Sequence, residues 1–163
     1  MTTPTPTQSG EPAWLHSHVH EPNPTPPTPD PTFQLTRPDG TTIAIGLGEL
    51  LSLPQRHAEN CYIVSTGHGT SGPFRFEGVT LGDLFVAQGI TTWRYADVVS
   101  ADGFGTRVQY EEVSATTTQP ILLALACDGK PLTREQGLVR LIVPQERDDA
   151  LRQVKWVAQI QVF

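Results

Sequence analysis

The chain has 163 residues, among them 15 prolines, 14 glycines and two cysteines, a length suited to one domain. Eleven Lys+Arg against 17 Asp+Glu give a net charge of −6, which excludes the basic stripe that nucleic-acid binding requires. No apolar run approaches the roughly 20 residues of a membrane span, and two cysteines do not make a disulfide framework for a chain this size.

Nine of the 15 prolines lie in residues 1–31, which contain no Lys or Arg. Proline removes donors and fixes φ, so this Thr/Pro-rich segment is expected to be an extended or disordered tail. Residues 32–163 then form the domain. The start, Met-Thr-Thr-Pro-Thr-Pro, shows neither a basic n-region nor an apolar h-region. A soluble, cytoplasmic protein with reduced thiols is the expectation. Within the tail His16, His18 and His20 alternate, and on an extended segment they would share one face able to chelate a divalent metal. No cysteine lies in this segment to complete such a set, so a surface tail is the simpler reading.

Phe33–Arg37 alternates as a half-buried strand does, Pro38-Asp39-Gly40 is turn chemistry, and Thr41–Ile45 completes a hairpin. Gly48–Leu53 reads as a helical turn stopped by Pro54. Residues 59–66 read as a strand running into a Gly-rich loop at 67–73, after which Phe74-Arg75-Phe76 resumes alternation. Thr80 is placed as an N-cap with Asp83 three residues on, heading a helix that ends at Gly89. Ala96–Ser100 and Gly105–Tyr110 flank the turn Asp102-Gly103. Ile121–Cys127 is apolar throughout and fits a buried strand or a short core helix. Val139–Val143 and Val154–Val162 are the last strands, the latter with its apolar residues on even positions. Many short strands with few short helices predict an α+β, mainly β domain.

Five short blocks, in order, give this pattern a further meaning. They are Phe76-Glu77-Gly78-Val79-Thr80-Leu81-Gly82-Asp83-Leu84, Ser100-Ala101-Asp102-Gly103-Phe104, and Leu125-Ala126-Cys127-Asp128-Gly129-Lys130-Pro131-Leu132. Gly137-Leu138-Val139-Arg140-Leu141-Ile142-Val143-Pro144 and Val154-Lys155-Trp156-Val157 follow. Each is weak alone, but the series across roughly residues 50–163 resembles the molybdopterin-binding domain of sulfite oxidase-type oxidoreductases.

The resemblance implies mixed sheets with short helices and a cofactor of molybdenum on a pterin dithiolene with a phosphate tail. It implies two-electron or oxo-transfer chemistry on a small-molecule substrate. A single protein cysteine adds a soft sulfur ligand, and the protein positions and tunes the cofactor. Arg140 and Lys155 match the family's phosphate-holding positions. Gly67, His68, Gly69 and Thr70 fall where a Gly-rich loop would line the cofactor, and His68 is a candidate neutral donor or proton relay; a surface loop histidine is the plainer alternative. Cys61 is the candidate metal ligand, because Cys127 sits in the apolar run, where it would fill the core. Counted back from Gly78, the family's cysteine position falls nearer Val64 or Ser65, and an insertion in 67–73 would restore the match to Cys61.

Other departures bear on chemistry. Gln136-Gly137 stands where the family has His-Gly, and no Arg-Arg pair follows Cys61. No Cys-x-x-Cys-His haem motif is present, so an enzyme of this kind would pass electrons to a separate partner. The competing reading is a fold kept without molybdenum, serving as a ligand-binding or partner-docking module; a third is a metal-handling accessory role for the His-rich tail.

Overall fold

The expected first hairpin is present in the computed structural model, which describes residues 28–65, 69–115, 119–144 and 153–163. Strands β1 (Phe33–Thr36) and β2 (Thr42–Ile45) pair antiparallel, and the Asp39 carboxylate accepts from the Thr41 amide at 2.9 Å to close the turn. The tail with His16, His18 and His20 lies outside the described residues.

After the short helix α1 (Leu47–Leu51), β3 (Arg56–Ser65) and β4 (Gly69–Thr80) form a long antiparallel pair. The expectation of a loop over 67–73 is corrected for residues 69–73, which belong to β4, with Thr70 opposite Val64. Gly72 explains why glycine belongs there: a Cβ would come within 2.7 Å of the Cys61 carbonyl oxygen. Strand β3 also starts earlier than expected, at Arg56.

Helix α2 (Leu81–Ala87) is capped as its sequence demands, the Thr80 hydroxyl accepting from the Asp83 amide at 2.9 Å. The Asp83 carboxylate reaches Arg56 at 3.1 Å instead of completing a capping box. Strands β5 (Tyr95–Ser100) and β6 (Gly105–Gln109) follow. The second strand, expected to run through Tyr110, ends at Gln109, and Tyr110 opens a further helix, α3 (Tyr110–Ser114). Glu112 turns the chain there, its carboxylate accepting from the Gln109 amide at 2.8 Å.

Next come β7 (Leu122–Cys127), β8 (Lys130–Pro131), β9 (Arg140–Ile142) and β10 (Val157–Val162). The apolar run is therefore a strand. The last strand is shorter than expected. Trp156 takes φ +49 and a register shift lies between Val157 and Gln159, so the buried residues are Val157, Ile160 and Val162.

Two five-stranded sheets result, one in the order β2-β1-β10-β5-β6, the other β3-β4-β7-β8 with β9 also pairing with β7. Strands β1 and β10 are parallel; the other paired strands run antiparallel. The main core lies between the sheets: Leu35, Val98 and Ile160 from the first meet Val79, Leu123 and Leu141 from the second, with Leu84 and Phe85 of α2. Over Leu122–Leu125 of β7 the residues alternate, Leu123 and Leu125 pointing to that core and Leu122 and Ala124 to the opposite face. The opposite face has its own apolar cluster of Ala58, Cys61, Phe76, Leu122, Ala124, Leu132 and Ile142. No described helix is long and apolar enough to cross a membrane.

Candidate functional site

The second face of the β3-β4-β7-β9 sheet gathers the chemistry. Directly opposed residues on neighbouring strands share a face. Arg140 on β9 opposes Ala124 on β7, Cys127 on β7 opposes Phe76 on β4, and Cys61 on β3 opposes Phe74 on β4. Phe76, Ala124 and Cys61 belong to one cluster, with Phe74 and Cys127 packed against it. A bulge decides the position of Cys127. Glu77 pairs with Ala126 but Gly78 with Ala124, so Leu125 is the extra residue and Cys127 returns to the side of Ala124. The expectation that Cys127 merely fills the core is corrected. It is half-buried at the strand end, on the face that also carries Cys61 and Arg140.

Arg140 is the most unusual of these groups. It is 5% exposed, and among the described residues no carboxylate pairs with it. One terminal nitrogen donates to the Gln136 carbonyl at 3.4 Å and the other to the Gln153 side-chain oxygen at 3.3 Å. Its Nε is buried without a hydrogen-bond partner. Burial lowers its pKa to about 10, against a smaller opposing influence of Cys127. A buried guanidinium left without a counter-charge is costly, and an anion bound at Nε would relieve the cost.

Lys155 supplies a second cation. Burial and the neighbouring Arg140 charge lower its pKa, while Asp102 raises it. Its backbone is fixed by the strap running from Arg134 to Val139. The Trp156 indole donates to the Arg134 carbonyl at 2.7 Å, and the Trp156 amide donates to the Gly137 carbonyl at 2.9 Å.

Cys61 is 2% exposed, its thiol donating to the Glu59 carbonyl at 3.7 Å. Burial, with a smaller contribution from Cys127, pushes its pKa up to about 11. The Cys127 thiol is raised too, by burial and then by Asp128, with Arg140 opposing. The four non-glycine residues with positive φ among the described residues are Asn60, Asp128, Leu138 and Trp156. They stand beside or two residues from Cys61, Cys127, Arg140 and Lys155; Asn and Asp adopt this region readily, whereas Leu138 and Trp156 are unusual in it.

Gly67 and His68 lie outside the described residues, and Gly69 and Thr70 begin β4. His57 lines a separate open groove of about 630 Å³ with Arg56, Asp83 and Ser114, sharing no residue with the Cys61–Arg140 group. Among the described residues no three His, Cys, Asp or Glu side chains are grouped to hold a metal. The donors here suit a ligand that brings most of its own metal coordination. They offer thiols for a soft metal and two cations for an anionic end. Molybdopterin has those needs, and the partnerless Arg140 Nε fits its phosphate. Sequence reasoning missed Gln153, a neutral residue that carries no motif, and saw Gln136 only as a departure from the family's His-Gly.

Comparison with known proteins agrees with this geometry. The family described as Oxidoreductase molybdopterin binding domain matches residues 40–163. The chain therefore belongs to that family and is a molybdopterin-binding oxidoreductase domain of the sulfite oxidase type, with molybdenum on the pterin as the family's cofactor. Among solved structures it is similar to the sulfane dehydrogenase SoxCD from Paracoccus pantotrophus, at 20% identity and a TM-score of 0.66. The match covers 81% of this chain and 38% of that one, so the present chain spans well under half of it; at this identity the likeness shows the fold. A search of the curated proteins finds no match.

Proposed function

We propose that the domain performs two-electron, oxo-transfer-type oxidoreduction of a small substrate, with the cofactor seated on the second face of the β3-β4-β7-β9 sheet. The observation that carries this reading is the buried Arg140 whose Nε lacks a partner. In it, the Arg140 Nε–H and the Lys155 ammonium bind the phosphate end, while the Gln136 carbonyl and Gln153 side chain orient the guanidinium. Phe76, Leu122 and Ile142 exclude water from the floor beneath. Cys61 gives the protein's sulfur, and metal binding displaces the proton that burial otherwise holds on it. The reading also assigns Gly67, His68, Gly69 and Thr70 to cofactor binding, with His68 as the proton relay. When bound, the molybdenum centre would supply the two-electron change. In this reading the electrons pass on to an electron-transfer partner.

The test is metal content. The protein is purified from a host that makes molybdenum cofactor, and molybdenum is quantified in the wild type and in Cys61→Ser. Stoichiometric metal in the wild type, lost in the variant, is expected. Metal retained in Cys61→Ser removes Cys61 from the role of ligand.

A further inference from the structure

Gln153 makes two bonds that fix it completely. Its Nε2 donates to the Tyr62 carbonyl at 2.9 Å and its Oε1 accepts from Arg140 at 3.3 Å. The amide cannot turn over, because that would set its NH2 against the guanidinium and its oxygen against a carbonyl. The arrangement ties the cation on β9 to the backbone of β3 beside Cys61. The acceptor is neutral, and so is the other one, the Gln136 carbonyl. A glutamate at 153 could accept from Arg140 equally well, but it would cancel the charge. The residue present keeps the guanidinium oriented and its charge uncompensated, in a place where Arg140 is 5% exposed and Lys155 stands near.

We propose that Gln153 is a positioning residue that holds Arg140 as an unneutralised cation and thereby makes this face selective for a dianionic phosphate group. The inference rests on the reading of Arg140 and Lys155 as the anion-holding pair. The shared chemistry is a phosphate monoester or free phosphate, and two arms of one experiment separate the sources.

The first arm melts the full chain, made in a host without molybdenum cofactor, in a titration of inorganic phosphate at constant ionic strength. The second measures pterin per chain after purification from a host that makes the cofactor. Both arms compare the wild type with Q153E and Q153M. Q153E retains the acceptor towards Arg140 and adds a counter-charge, but it loses the donor to the Tyr62 carbonyl, so its ligand-free melting temperature falls no further than that of Q153M, yet its phosphate affinity falls at least tenfold. Q153M lacks the acceptor, so it melts lower and binds phosphate a few-fold more weakly. The order of stability and the order of affinity therefore cross, which a purely structural role would not produce. Pterin content follows the order of affinity. A phosphate response confined to the first arm assigns the face to free phosphate. Affinity that tracks stability across the variants, or Q153E binding within twofold of the wild type, overturns the role of Gln153. A wild type with neither phosphate response nor pterin overturns the anion-holding pair itself.

Discussion

Gly137 packs directly against Lys155: a Cβ at 137 would stand 3.0 Å from both Cβ and Cγ of the lysine. The glycine also has φ +112, which L side chains rarely adopt. Two demands, a close approach and a left-handed backbone, meet at one residue of the strap that seats the second cation. Gly137→Ala should cost about 1–3 kcal/mol of stability and push Lys155 off its seat. Pterin content or phosphate affinity should fall several-fold beyond any change in folded fraction. Unchanged affinity in the folded variant would show that this contact does not set the lysine.

A second glycine acts on the fold. At Gly78 a Cβ would overlap the Leu123 carbonyl oxygen and lie 2.9 Å from the Ala124 Cα. These are backbone atoms of the paired strand and have little room to give. Gly78→Ala should destabilise by about 3 kcal/mol or more, with the denaturation midpoint as the measurement. A variant within 1 kcal/mol of the wild type would show that the strands separate easily at the bulge.

The two thiols should behave differently. Cys127 is half-buried and Cys61 is buried, so a thiol reagent should label Cys127 first, and Cys127→Ser should abolish the fast phase. The sign of the pH effect follows from Cys61, whose folded pKa of about 11 lies above the ordinary thiol value of 9.0. Between these values the unfolded chain loses a proton that the folded chain keeps. Its contribution to stability is therefore intact below pH 9 and declines as pH rises towards 11. In Cys61→Ala that share of the alkaline loss should vanish from chemical denaturation curves, and a variant with an unchanged alkaline slope would contradict the assignment.

Much of the fold was legible because short-range chemistry states it. Asp39-Gly40 and Asp102-Gly103 announce their turns, and Thr80 with Asp83 announces the start of α2. Helix α3 was not legible, since five residues give no helical period and Tyr110 continues the preceding strand pattern; Gln109 and Glu112 were the local signal. The start of β4 was hidden for another reason. Gly69, Ser71 and Gly72 have weak strand propensity, and what holds the segment is pairing with β3, a tertiary fact. At the site, Arg140 and Lys155 emerged from the resemblance alone. Placing Cys127 needs the bulge at Gly78, which reverses its side of the sheet, and no periodicity count includes that. Gln153 had no signal at all, because its role is to be a neutral partner in a three-dimensional bond pair.

In the proposed function, the cations on the second face of the β3-β4-β7-β9 sheet hold the pterin. The direct measurement is released pterin and molybdenum per chain, after purification from a cofactor-making host, for the wild type and for Arg140→Met with Lys155→Met combined. Methionine keeps the buried volume near that of the side chains it replaces, so a folded double variant is expected. The account predicts about one pterin and one molybdenum per wild-type chain, and a tenfold or greater loss of both in the folded double variant. Equal pterin in the two proteins, or none in the wild type, would contradict it.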